Sequence, residues 1–221
     1  LADWGNNDYF ILKILEKLVS SGLQIEILLS NHGAEFVDIN EQIFKKHQLI
    51  PDFKGRGTIR VDSMQNLGIL IRRNIVDMQE IQTIIQQCYY PYLKLCSYSL
   101  THEDNLIVYT HAHVGLETIK SLANYYSVLY DDSTSEKLCK TIDSINSSFR
   151  ASDCSQLTQR MEELHPKWHE ADTTDPLIRV IWHIDYKDND VPFEHNGYRL
   201  TFVNGHAFEW KGSRTLVTEC D

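Results

Sequence analysis

Apolar residues recur at helical spacing near the start of the chain, where Phe10, Ile11, Ile14, Leu15 and Leu18 predict an amphipathic helix that Asn7 or Asp8 caps and Gly22 ends. Leu23–Leu29 then reads as a buried strand, and the polar run Ser30-Asn31-His32-Gly33 follows at its carboxyl end. The same grammar returns later: Leu106–Thr110 predicts a strand ending in His111-Ala112-His113-Val114-Gly115, and a helix from Leu116 to Tyr126 returns from it. Between these units Val76–Cys88 reads as helical and Pro91 blocks its continuation. Residues 37–101 are therefore expected to form a helical insertion within one domain spanning 1–221. Asp131–Ile145 and Gln156–Leu164 predict two more helices with a Ser-rich turn at Ser147–Ser155 between them. Leu177–Trp182, Tyr198–Val203 and Arg214–Thr218 read as strands, set apart by turns such as Asn196-Gly197. The pattern as a whole predicts an α/β fold, a mixed sandwich of strands flanked by helices, with functional loops at strand ends, where open α/β sheets hold their ligands.

Composition narrows the function. A net charge of -10 and a pI near 5.4 lack the basic stripe of a nucleic-acid binder. No apolar run approaches the ~20 residues of a membrane-spanning helix, so a soluble, cytosolic protein is expected. The five cysteines contain no CxxC pair and no CxxxxxR phosphate loop, which argues against a disulfide framework, a zinc ribbon and a cysteine-based phosphatase. Leu1 is neither an initiator methionine nor the start of a signal-like segment, so the stretch is expected to begin inside a longer protein. Nothing in the sequence fixes an oligomeric state.

Three strand ends deliver Asn31-His32, His111-x-His113 and Gly205-His206, each directly after an apolar run. Amide oxygen and imidazole nitrogen on rigid strand termini are the donors a divalent cation needs. Taken singly, each is as well explained by a hydrogen-bonded structural residue. The Tyr89-Tyr90-Pro91-Tyr92 cluster reads either as a partner surface or as core packing.

The ordered series Asp3-x-Gly5, Ser30-Asn31-His32, Tyr109-Thr110-His111, Asn204-Gly205-His206 resembles the motif series of the metallophosphoesterases, and within them the phosphoprotein phosphatase (PPP) branch, which reads GDxHG, GDxxDRG, GNHE, HGG and GH. The resemblance covers most of the chain except roughly 37–101. It implies a metallophosphoesterase-like fold and a protein phosphatase using two divalent metal ions, manganese first, with iron, zinc or magnesium as the other options. Asn31, His111 and His206 match the ligands of the second metal. His32 matches the general acid that protonates the leaving oxygen after metal-activated hydroxide attack, and Asp3 the carboxylate that orients it. The substrate is then a phosphoprotein, carrying phosphate on Ser, Thr or Tyr.

The chain departs from that pattern in three places. The ligands of the first metal are absent and are expected upstream of Leu1. Trp4 stands where the family has its phosphate-binding arginine, whose bidentate fork an indole cannot imitate. His183, or more weakly Arg179, is the substitute the sequence offers, although His183 also reads as a packed residue at a strand end. Gly33 replaces the glutamate of GNHE, with Glu35 close by. His113 is taken as a pocket wall beside the ligand His111, with a second ligand as the alternative. The Leu1-to-Phe10 opening and the Leu-Leu-Ser-Asn-His-Gly loop are also similar to the Wip-type effector phosphatases of Legionella, which implies an enzyme injected into the host cytosol. A degenerate phosphatase fold serving as a binding module, and a phosphodiesterase or nucleotide phosphatase, are the competing readings.

Overall fold

The computed structural model describes residues 7–30, 33, 65–101, 103, 105–152, 175–182 and 191–205. In chain order these form α1 (Asp8–Ser20), β1 (Ile27–Leu28), α2 (Gln65–Arg72) and α3 (Met78–Ile84), which opens into a π turn (Ile85–Tyr89) and a 3-10 turn (Tyr90–Tyr92). Then come β2 (Leu93–Lys94), β3 (Cys96–Leu100), β4 (Asn105–Thr110), α4 (Leu116–Tyr125), α5 (Ser135–Ala151), α6 (Pro176–Trp182), β5 (Phe193–His195) and β6 (Tyr198–Asn204). The fold is mixed α/β.

Alternation along β4 buries Leu106, Val108 and Thr110 on one face, and β6 buries Tyr198, Leu200 and Phe202 on the same side. These strands pair in parallel, Leu106 opposite Leu200 and Thr110 opposite Asn204. With β3 antiparallel to β4 and β5 antiparallel to β6, they make a four-stranded sheet of order β3-β4-β6-β5. The β5–β6 turn uses Asn196 and Gly197, both at positive φ (46° and 87°), the geometry a two-residue hairpin needs and the one Asn-Gly adopts most readily. A second, two-stranded sheet pairs β1 with β2 in parallel. Its chain runs on through Leu95 into β3, so the two sheets share a continuous segment. Asn146 of α5 spans the break: its Oδ1 accepts from the N–H groups of Leu95 (2.9 Å) and Cys96 (3.4 Å), and its Nδ2 donates to the Cys96 carbonyl (2.8 Å). One continuous core joins α1, α3, both sheets and α4–α6.

Four expectations are corrected. Leu177–Trp182 is helix, not strand. Asp175 Oδ1 accepts the Leu177 N–H (3.0 Å) and Pro176 takes the first helical position, where its missing N–H is harmless. A short apolar run fits a buried strand and a buried helix equally by periodicity, so the Asp-Pro start decides. Ser147 and Ser148 lie inside α5, because Ser144 and Ser147 return their hydroxyls to the carbonyls of Lys140 and Asp143 (2.8 Å each) and leave the helix intact to Ala151. On α1 the buried positions are Asp8, Leu12 and Leu15, whereas Phe10, Ile14 and Leu18 are exposed, and Asn7 makes no side-chain cap. Glu80 of α3 draws the helix by its other face, accepting from Lys13 Nζ (2.9 Å) and Tyr9 Oη (3.4 Å). The first strand is confined to Ile27–Leu28. Within 37–101 the described residues 65–92 include the helical segments α2, α3 and their two turns, and 93–100 contains the strands β2 and β3. Gln156–Leu164 and Arg214–Thr218 lie outside the described residues. Among the described residues no helix is long and apolar enough to cross a membrane.

Candidate active site

Backbone pairing sets where the chain next to the candidate ligands leaves the strands. The Leu29 N–H donates to the Lys94 carbonyl (2.8 Å), which prolongs the β1–β2 pairing to the residue before Ser30. Two residues beyond Lys94, Cys96 faces Thr110, and Thr110 faces Asn204. Strand neighbours lie ~4.8 Å apart. The chain thus reaches Ser30 alongside β2 in the two-stranded sheet, while the neighbouring ends of β4 and β6 in the four-stranded sheet lead into His111 and Gly205, and the β2–β3 segment runs from one sheet into the other.

The turn after β4 is fixed by three hydrogen bonds. Thr110 Oγ1 donates to the Ala112 carbonyl (2.7 Å), the Ala112 N–H donates to the Val180 carbonyl of α6 (3.2 Å), and the Gly205 N–H donates to the His111 carbonyl (3.1 Å). The last bond sets the backbone of residue 205, immediately before His206, against the backbone of His111. Ala112 and Val114 are buried while His111 and His113 are half-buried, so this turn anchors itself by its small apolar residues. Gly115 then starts α4 and its carbonyl accepts from Thr118 and Ile119 (3.0 and 3.2 Å).

The loop after β1 is held at its far end. The Gly33 N–H donates to Ser30 Oγ (2.8 Å), and the buried Tyr89 hydroxyl donates to the Gly33 carbonyl (2.9 Å). A Cβ at position 33 would lie 2.7 Å from Ser30 Oγ and 2.8 Å from Tyr89 Oη. Glycine at this position thus has a steric reason: the loop closes on a hydroxyl from each side, and a side chain would have to displace one of them. Tyr89 is the residue that sequence reasoning missed, and the packing reading of the tyrosine cluster holds for it. Its signal was weak, since a buried tyrosine is known by the partner of its hydroxyl, which no periodicity reveals.

Arg179 stands on α6 between Ile178 and Val180, both buried, and is itself half-buried; its Nε is buried with no hydrogen-bond partner among the described residues. The helix that carries it is the one bonded to Ala112. Asp3, Trp4, Asn31, His32, Glu35, His183 and His206 lie outside the described residues, and of the predicted site His111 and His113 are described. Among the described residues no group of three His, Cys, Asp or Glu side chains gathers at one point. The donor chemistry of His111, with the chain at Gly205 bonded beside it, is of the kind that suits a divalent cation.

Cysteine chemistry has no support among the described residues. Burial pushes the Cys96 thiol up to about 12, and burial with the nearby carboxylates of Asp143 and Glu136 pushes Cys139 up to about 11, the reverse of a nucleophilic thiolate.

Comparison with known proteins identifies the family. The family model described as the WipA-like phosphatase domain matches residues 1–218. The crystal structure of the phosphatase domain from the Legionella effector WipB superposes with a TM-score of 0.71 at 30% identity, over 90% of this chain and 67% of that one. No curated protein sequence matches. With a family match over nearly its whole length and a solved phosphatase domain of the same kind at 30% identity, the chain belongs to the WipA-like phosphatase domain family.

Proposed function

We propose that this phosphatase domain is a divalent-metal protein phosphatase of the PPP type, hydrolysing phosphomonoesters on Ser, Thr or Tyr side chains. The single observation that supports the reading is the parallel β4–β6 pairing, Thr110 opposite Asn204, with the Gly205 N–H bonded to the His111 carbonyl, so that His206 follows directly on a residue beside His111. Those three residues would hold one cation, and the remaining ligands of a two-metal centre would come from outside the stretch. When bound, divalent ions, manganese foremost, polarise the phosphoryl oxygens and lower the pKa of coordinated water.

The chain's own residues supply the rest. His32 protonates the departing oxygen, and Asp3 holds its ring and favours the protonated form. The backbone that carries His111 is fixed because its carbonyl accepts from the Gly205 N–H and its turn is closed by Thr110. His113 walls the pocket. Arg179, whose buried Nε has no hydrogen-bond partner among the described residues, and His183, directly after α6, are the groups that would receive phosphate in place of the arginine that Trp4 displaces. A net charge of -10 favours a protein substrate over nucleic acid. The likeness to a Legionella effector supports delivery into a host cytosol.

Full-length protein should hydrolyse an aryl phosphate in the presence of Mn2+, lose activity on chelation, and lose it in His32→Ala and His206→Ala. Absence of turnover in a folded, metal-supplied protein would overturn the proposal and leave a binding module. Faster turnover of cyclic nucleotides than of phosphopeptides would replace it with a phosphodiesterase.

A further inference from the structure

We infer that Tyr89 is a positioning residue for the loop that carries Asn31 and His32, acting through the backbone of Gly33. The inference rests on the reading of Asn31 as ligand and His32 as acid. The two residues lie between Ser30 and Gly33, and each flank is tied to a different element. On one side the chain leaves β1 through the Leu29-to-Lys94 hydrogen bond. On the other, Gly33 is gripped twice, its N–H by Ser30 Oγ and its carbonyl by the Tyr89 hydroxyl, at 2.8 and 2.9 Å.

Tyr89 is suited to the task. It is 1% exposed, and burial pushes its phenol above the ordinary tyrosine value, so the hydroxyl stays a hydrogen-bond donor at any working pH. It ends the π turn Ile85–Tyr89, a widened helical geometry found disproportionately at functional sites. That turn packs against α1, so the brace is seated in the core and not on a mobile surface. A ligand set is tuned by the groups that hold its backbone and rings, and loss of such a group commonly costs about 10- to 100-fold in metal affinity or activity.

Tyr89→Phe removes one oxygen and keeps the ring. A purely structural hydroxyl would change melting temperature alone, so the deciding readouts are the Mn2+ concentration giving a half-maximal rise in melting temperature and the split between kcat and KM for an aryl phosphate. Expected are an increase of about 10-fold or more in that Mn2+ concentration and a lower kcat with KM unchanged. Tyr90→Phe, whose hydroxyl donates to the Arg150 carbonyl instead (3.3 Å), should match wild type in both. Should Tyr89→Phe fail to fold, Ser30→Ala, which releases the other grip on Gly33, is expected to show the same two changes. A folded Tyr89→Phe, or in its place a folded Ser30→Ala, with wild-type Mn2+ dependence and kcat overturns the inference alone. A wild-type protein that shows neither Mn2+ stabilisation nor turnover overturns the functional reading on which it rests.

Discussion

Gly33 is the residue at which sequence and geometry meet most closely. Two hydroxyls occupy the space a side chain would need, so Gly33→Ala must displace Ser30 or the buried Tyr89. Overpacking of this kind costs about 1–3 kcal/mol, to be read as a lower urea midpoint. The cost has a named origin and can be relieved. Tyr89→Phe removes the oxygen that crowds the new methyl group, so the double variant should be more stable than the sum of the two single changes predicts. At this scale the sequence names Asn31, His111 and His206 as candidate ligands because each follows an apolar run that ends in polar residues, and of the three the structure describes His111. Tyr89 was not legible in advance, because its role depends on a hydrogen bond between residues 56 positions apart, and neither period nor motif encodes such a bond.

Among the elements, those with strong periodicity were read from the sequence with little error, as β4, α4 and β6 illustrate. The errors have one physical root. Where a segment is apolar without a clear polar face, its period is uninformative and tertiary context decides. In α6 the Asp-Pro start overrode a strand-like run, and in α1 packing against α3 chose Leu12 and Leu15 over the equally periodic Phe10 and Ile14. The join between β2 and β3 was hidden for a related reason, since the side chain that permits it belongs to α5. Asn146 is 2% exposed and satisfies three backbone groups across that break. Asn146→Ala should cost roughly 3 kcal/mol by stranding them in the interior, seen as a shifted denaturant midpoint with an unchanged slope. Because Cys96 stands opposite Thr110, the same variant is expected to weaken Mn2+ binding as well.

For the whole molecule, acid should loosen the hairpin that presents β6. Asp132 gathers that hairpin: its Oδ2 receives the Tyr130 hydroxyl (2.8 Å) and lies 3.0 Å from His195 Nε2, while its carbonyl accepts from Asn196 (3.0 Å) and Tyr198 (3.2 Å). Burial raises the carboxyl pKa, but the hydrogen bonds from Tyr130 and His195 outweigh it and leave the group below its ordinary value. For Glu26, burial likewise raises the pKa while Lys94 and Ser97 bring it lower overall. A carboxylate whose folded-state pKa is depressed contributes stability that is complete above its unfolded value of ~3.9 for Asp and ~4.3 for Glu, and loses it as pH falls through the folded value. The urea midpoint should therefore drop below about pH 4, and Asp132→Asn should show a shallower acid limb than wild type. The parallel pairing of β4 with β6 matters for a different moment in the protein's life. Thr110 meets Asn204 only after a long crossover has been laid down, and contacts between such distant parts of a chain are late to form. His111 adjoins the local helix α4, whereas the turn it shares with Gly205 needs the distant β6 in place. A chain still emerging from a ribosome would carry the segments around His111 and Gly205 in separate pieces until the sheet is complete.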